Sequence, residues 1–119
     1  MERGERRAGE DGAARLGRRV AIYGPTGAGK STLGRLIGAR LGVPAVELDA
    51  LFHRPGWQPT PDDEFRAAVS SKIAECEDGW VFDGNYRAVR DIILSRADTV
   101  IWLRLPFHVV FRRLGADAP

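Results

Sequence analysis

RVAIYGPTGAGKST, residues 19–32, joins two periodicities in one short stretch. The apolar run Val20–Tyr23 reads as a buried strand and enters a glycine-rich turn. The turn leads to Leu33, Leu36, Ile37 and Leu41, which share one face of a helix that Gly42 can end. Residues 24–31 fit the pattern G-x-x-x-x-G-K-[ST], placed between strand and helix as that pattern requires. Its glycines permit backbone conformations closed to other residues, so successive N–H groups can form a nest for phosphate oxygens at the positive end of the helix. Gly24, Pro25, Thr26, Gly27, Ala28, Gly29, Lys30, Ser31 and Thr32 are therefore the candidate nucleotide-binding residues. Lys30, one of two lysines beside sixteen arginines, offers a mobile point charge for the β- and γ-phosphates, where a planar arginine fork fits poorly. Ser31 places a hydroxyl on Mg²⁺, and Thr32 lies near the α-phosphate.

On either side of this motif strands and helices alternate. VPAVELD (43–49) reads as a second strand ending at Asp49, and LFHRPGWQPTP (51–61) as a proline-punctuated loop. Thr60 is a candidate N-cap, with Pro61 at the first helical position, acidic residues at 62–64, and Phe65, Val69 and Ile73 on one face. WVFDG (80–84) reads as a third strand, Val89, Ile92 and Ile93 mark a short helix, and TVIWLRL (99–105) is a fourth strand. Phe107, Val110, Phe111 and Leu114 have the spacing of a last helix. Such alternation predicts a parallel sheet with right-handed crossovers and helices on both faces. Ligands then bind outside the carboxyl ends of the strands, where Asp49, Asp83 and the 24–32 loop fall.

The chain has 119 residues and a net charge of +2, with acidic residues interspersed among the arginines. That balance does not by itself point to nucleic acid. No apolar run approaches the roughly 18 residues of a membrane span, the N-terminus lacks a secretory apolar stretch, and the lone Cys76 cannot form an intramolecular disulfide. A cytoplasmic protein is expected. Residues 1–17 have the composition of a disordered extension, leaving 18–119 as the folded domain. His53 and His108 lack metal-ligand spacing, Cys76 falls on the apolar side of its helix, and Trp80 and Trp102 lie in strand runs that favour packing.

Three further segments, LGVPAVELDALFHRPGW, WVFDGNYR and RADTVIWLRLP, follow the glycine-rich loop in order. Together the four motifs resemble the topology modulation proteins, small bacterial kinase-like ATPases related to adenylate kinase, across about residues 18–114. The resemblance implies a P-loop NTPase fold, a three-layer α/β/α sandwich of the nucleoside-monophosphate-kinase type, and ATP with Mg²⁺ as cofactors. DGNYR (83–87) resembles the D-G-F-P-R segment of those kinases, which makes Asp83 a Mg²⁺ holder and Arg87 a contact to the acceptor's phosphate. Asn85 and Tyr86 depart from that pattern, in the loop that frames a nucleotide base. Asp49 matches a substrate-binding aspartate able to orient or deprotonate an acceptor hydroxyl, with helix capping as its plain alternative. Arg54 and Trp57 are candidates for the acceptor pocket, and Trp57 serves equally as a loop anchor.

In that family an arginine-bearing lid, a last strand and a final helix follow the fourth strand. The resemblance therefore implies a chain incomplete at its C-terminus, with Arg112 and Arg113 where the first lid arginines begin. The resulting expectation is an ATP-dependent kinase acting on a small-molecule or nucleotide acceptor through Lys30, Asp49, Asp83 and Arg87, with Ser31 and Asp83 on the metal. The alternative is a non-catalytic nucleotide-binding regulator that touches DNA through its N-terminal arm, whose field is diluted by Glu2, Glu5, Glu10 and Asp11.

Overall fold

The computed structural model describes residues 5–7, 16–25, 29–105 and 108–113, with residues 5–7, 54, 57, 105 and 108–113 described at the backbone alone. In chain order the elements are β1 (Glu5–Arg7), β2 (Arg19–Tyr23), α1 (Lys30–Leu41), β3 (Ala45–Glu47), α2 (Leu48–Phe52), β4 (His53–Arg54), β5 (Gln58–Pro59), α3 (Asp62–Glu75), β6 (Trp80–Asp83), α4 (Arg87–Arg96), β7 (Thr99–Leu105) and β8 (His108–Arg113). A 3₁₀ turn at Pro55–Trp57 links the short antiparallel ribbon of β4 and β5. The main sheet runs β1-β8-β7-β2-β6-β3, and its members β7, β2, β6 and β3 are mutually parallel, with β3 at the edge.

Helices cover both faces of that sheet. Alternate residues of β2 point to opposite sides, so Val20 and Ile22 pack with Ile37 of α1, while Ala21 and Tyr23 pack with Phe65 and Val69 of α3 and Val89 and Ile93 of α4. This is the expected three-layer α/β/α architecture of a P-loop kinase. Strands buried on both faces need continuous apolar runs, which explains why VAIY and WVF carry no alternation. At the opposite end from the strand tips, the Asp98 carboxylate accepts the backbone N–H groups of Arg18 and Arg19, each at 3.2 Å, and the Thr99 hydroxyl at 3.0 Å. That cluster pins the start of β2 to the start of β7. No described helix is long and apolar enough to cross a membrane.

Five local expectations change. The second strand stops at Glu47, and Leu48–Phe52 turns into helix α2, so Asp49 lies in a helical first turn rather than at a strand end. Thr60 does not cap α3, because its N–H and its hydroxyl both donate to the Phe52 carbonyl and so close the loop that carries the ribbon. Residues 108–113 form no helix: they pair antiparallel with β7 from Leu105↔His108 to Thr99↔Arg113. The β-branched and aromatic run Val109–Phe111 suits a strand, and the outer edge of β7 offers a full row of backbone groups that need partners. Phe107 and Leu114 lie outside the described residues, and Arg112 and Arg113 sit on this strand. Within 1–17, read from composition as a disordered extension, Glu5–Arg7 forms a strand against Val110–Arg112. Finally, Trp80 is fully buried as expected, whereas Trp102 stacks on Tyr23 at 5.3 Å while remaining 46% exposed.

Helix α1 approaches the sheet closely at Gly38, where a Cβ would stand 2.9 Å from the Val43 carbonyl oxygen and 3.2 Å from the Ala45 Cβ. Alanine gains about 1 kcal/mol of helix propensity over glycine, and overpacking against backbone costs about 1–3 kcal/mol. Gly38→Ala is therefore expected to lower stability in urea denaturation, against the usual effect of the same change in an exposed helix.

Candidate functional site

The parallel register sets Ile22 beside Asp83 and Asp83 beside Glu47, so the chain leaves β2, β3 and β6 at one common edge. Gly24 follows β2 there and meets β7: a Cβ at this position would lie 2.5 Å from the Leu103 carbonyl oxygen, which belongs to backbone and cannot yield. Gly29, left-handed at φ 91°, delivers the loop into α1, whose first turn contains no acidic residue. The free N–H groups and the helix dipole thus face the loop without a competing carboxylate. Lys30 Nζ donates to the carbonyls of Gly24 at 2.9 Å and Pro25 at 3.2 Å, bracing the loop across its mouth. An ammonium has three donors, so a third remains for a phosphate. Thr26, Gly27 and Ala28 lie outside the described residues.

Beside this loop is a cavity of about 630 Å³ lined by Lys30, Ser31, Glu47, Asp49, Asp83, Asn85 and Tyr86, among others. The structure thus brings together four residues singled out from the sequence, Lys30, Ser31, Asp49 and Asp83. Thr32 and Arg87 are exposed, on α1 and at the first position of α4, and neither belongs to the lining. The side chains of Arg54 and Trp57 lie outside what is described.

Asp83 is the buried charge of the site, and its Oδ2 has no hydrogen-bond partner among the described residues. Burial pushes its carboxyl up to about 6, helped by Glu47 and Asp49 and opposed by Lys30 and Arg35. Glu47 is itself held by Arg35 at 3.1 Å. An orphaned buried carboxylate oxygen and a serine residue lining one cavity offer hard oxygen donors of the kind that suit Mg²⁺ with phosphates and water. Among the described residues no cluster of three or more His, Cys, Asp or Glu side chains could hold a metal by itself.

Asp49 Oδ1 accepts a hydrogen bond from the Tyr86 hydroxyl. The Tyr86 ring is fixed by Phe52 at 4.8 Å and Phe65 at 5.2 Å, centroid to centroid. Burial, reinforced by the bond to Asp49, pushes the Tyr86 phenol up to about 12, so it stays a donor throughout the neutral range. On its other side Asn85 grips the phosphate loop, its Oδ1 accepting the Gly24 N–H at 3.2 Å and its Nδ2 donating to the Gly24 carbonyl. Glu47, Asn85 and Tyr86 were not identified from the sequence as site residues. The available signal was the departure at 85 and 86 from D-G-F-P-R, and only the fold shows which groups those side chains meet.

No protein-family model matches the chain. A shikimate kinase of Nitrobacter winogradskyi is 33% identical across 90% of this chain and 57% of its own length. One from Paramagnetospirillum magneticum is 30% identical across 88% of this chain and 61% of its own. A cytidylate kinase of Nitratidesulfovibrio vulgaris is 40% identical over 65 residues, 53% of this chain and 26% of that protein. The relatives are kinases. They support the P-loop, nucleoside-monophosphate-kinase-like group to which the glycine-rich loop and the sheet both point, while the chain spans less than two thirds of these shikimate kinases' length.

The Asp83 environment sets a pH dependence with a definite sign. The folded protein holds this proton up to about pH 6, whereas the unfolded chain releases it near 3.8. The folded state therefore binds more protons between those values, and this group's contribution to stability falls as pH rises from about 4 to 6. Urea midpoints measured in chelator across pH 4–7 are expected to show that decline in the wild type and to lose it in Asp83→Asn.

Proposed function

We propose that the chain carries the nucleotide-binding and acceptor-recognising parts of an ATP-dependent kinase that phosphorylates a hydroxyl-bearing small molecule. The observation that carries this reading is the meeting of Lys30, Ser31, Asp83 and Asp49 around one cavity at the carboxyl ends of parallel strands. In this reading residues 18–119 belong to the kinase domain, the protein works in the cytoplasm, and ATP is preferred mainly on the family resemblance of the four motifs. Kinship with the topology modulation proteins rests on the four sequence motifs. Kinship of substrate with the shikimate kinases, whose acceptor is a small hydroxylated acid, rests on overall similarity.

Each residue has a physical task. The amides of the 24–32 loop and the N-terminus of α1 cradle the phosphates, and Lys30 neutralises charge on the group being transferred. Ser31 and Asp83 would hold Mg²⁺, Asp83 directly or through water, and the ion when bound neutralises phosphate charge. Asp49 accepts the acceptor's hydroxyl proton, with one oxygen engaged by Tyr86 and the other available. Arg87, exposed at the mouth of α4, becomes a contact for a charged acceptor only when substrate or further chain closes over the cavity.

Calorimetry of the 119-residue chain with Mg-ATP, followed by a phosphate-transfer screen that includes shikimate and nucleoside monophosphates, tests this function. Lys30→Ala is expected to weaken Mg-ATP about tenfold to a hundredfold, since it removes a charge-assisted contact. With a productive acceptor, Asp49→Asn should lower kcat about 100-fold to 10,000-fold while leaving Mg-ATP affinity in place. Nucleotide binding that is indifferent to Lys30 overturns the assignment. Lys30-dependent binding without transfer to any acceptor favours the non-catalytic regulator, and salt-sensitive DNA binding lost on removing residues 1–17 would extend that reading to nucleic acid.

A further inference from the structure

Asn85 and Tyr86 are adjacent in sequence, and their side chains hold opposite halves of the site. Asn85 makes a two-point clasp on Gly24, the first residue of the phosphate loop and 61 positions away, by accepting its N–H and donating to its carbonyl. The same carbonyl receives Lys30 Nζ at 2.9 Å, so the clasp and the phosphate-binding lysine converge on one oxygen. Gly24 cannot drift away from this grip toward β7, because Leu103 backbone already stands against it. Tyr86 meanwhile donates to Asp49 and is wedged between Phe52 and Phe65. The pair is anchored behind by the Gly84 N–H, which donates to the Ile22 carbonyl at 3.3 Å and extends the β2–β6 ladder by one step.

We propose that Asn85 and Tyr86 form a strap of positioning residues that couples the phosphate loop to the acceptor aspartate, so that filling one half of the site is felt in the other. The proposal rests on the kinase reading for the identity of the two halves, and its own content is the mechanical link between Gly24 and Asp49. A two-point bond transmits both displacement and rotation of the Gly24 peptide, which a single hydrogen bond would not. From there the link to Asp49 runs through the one peptide joining residues 85 and 86 and the Tyr86 hydroxyl. Linkage then makes the effect reciprocal: whatever nucleotide does to acceptor affinity, acceptor does to nucleotide affinity. An aromatic cradle around Tyr86 gives the link a rigid far end, since the ring can move only with Phe52 and Phe65.

The test uses backbone amide NMR spectra and Mg-ATP calorimetry on the whole chain, comparing wild type with Asn85→Ala, Tyr86→Phe and Lys30→Ala. Asn85 is exposed, and Tyr86→Phe keeps the ring in its cradle, so both variants should fold. Without nucleotide, Asn85→Ala is expected to shift the amides of Gly24 and of 48–52 together, and Tyr86→Phe to shift Asp49 and reach back to Gly24. With Mg-ATP, wild-type amides at Asp49 and Tyr86 should respond, and in Asn85→Ala that remote response should vanish while affinity falls about threefold to tenfold. Shifts confined to each variant's own side of the strap overturn the coupling, whatever the nucleotide affinity. A wild type that binds no Mg-ATP, or binds it independently of Lys30, overturns the kinase reading instead, and the nucleotide-free spectra still decide the strap.

Discussion

The parallel pairing of β2 with β6, in the register that sets Ile22 against Asp83, is the constraint on which the site depends. A parallel ladder makes both strands end on the same side of the sheet, so a glycine-rich loop after one and a carboxylate at the tip of the other become neighbours although about sixty residues separate them. Pairing of β3 on the far side of β6 then adds Glu47 to the same edge. The result is a concentration of negative charge around Asp83 that Lys30 and Arg35 offset in part. Low solvation makes that imbalance costly, and a site with this imbalance favours a cation accompanied by phosphate oxygens.

Apolar packing behind the edge gives the polar groups their positions. Trp80, Phe82 and Phe65 are fully buried, and the aromatic contacts among Phe52, Phe65 and Tyr86 extend that core up to the cavity wall. Tyr86 is therefore held by its ring and acts through its hydroxyl, a division common to buried tyrosines. The same core explains why a short helix follows β3. Turning at Leu48, which is buried, lets the chain keep an apolar anchor while bringing Asp49 over the strand ends. An extended strand through Asp49 would have carried the carboxylate past the cavity.

The β7 side of the sheet follows another logic. β7 is covered on its inner edge by β2, and its outer edge is matched by β8 running antiparallel. The β7–β8 ladder carries a register irregularity between Leu103 and Leu105, and Trp102, stacked on Tyr23, remains 46% exposed. Beside it a second hollow of about 590 Å³, bounded by Tyr23, Gly24, Arg90, Trp102 and Arg104, shares Asn85 with the main cavity. Asn85 borders both hollows and is fixed there by its two hydrogen bonds to Gly24.

By itself the sequence determined the alternation of the main strands and helices, β2, α1, β3, α3, β6, α4 and β7, the parallel sheet, and the glycine-rich loop, though not α2 or the β4–β5 ribbon. Each of these is written locally, in apolar runs, in helical spacing and in glycines at set offsets. Lys30, Ser31 and Asp83 were legible for the same reason, since a motif or a strand end marks each of them, whereas Asp49 was singled out at the end of a strand that stops at Glu47. Tertiary structure alone decided that Thr60 turns back to Phe52, that 108–113 pairs as a strand, and that Asn85 and Tyr86 reach Gly24 and Asp49. These outcomes come from partners tens of residues away competing for the same backbone and side-chain groups. No local periodicity records which long-range hydrogen bond will win.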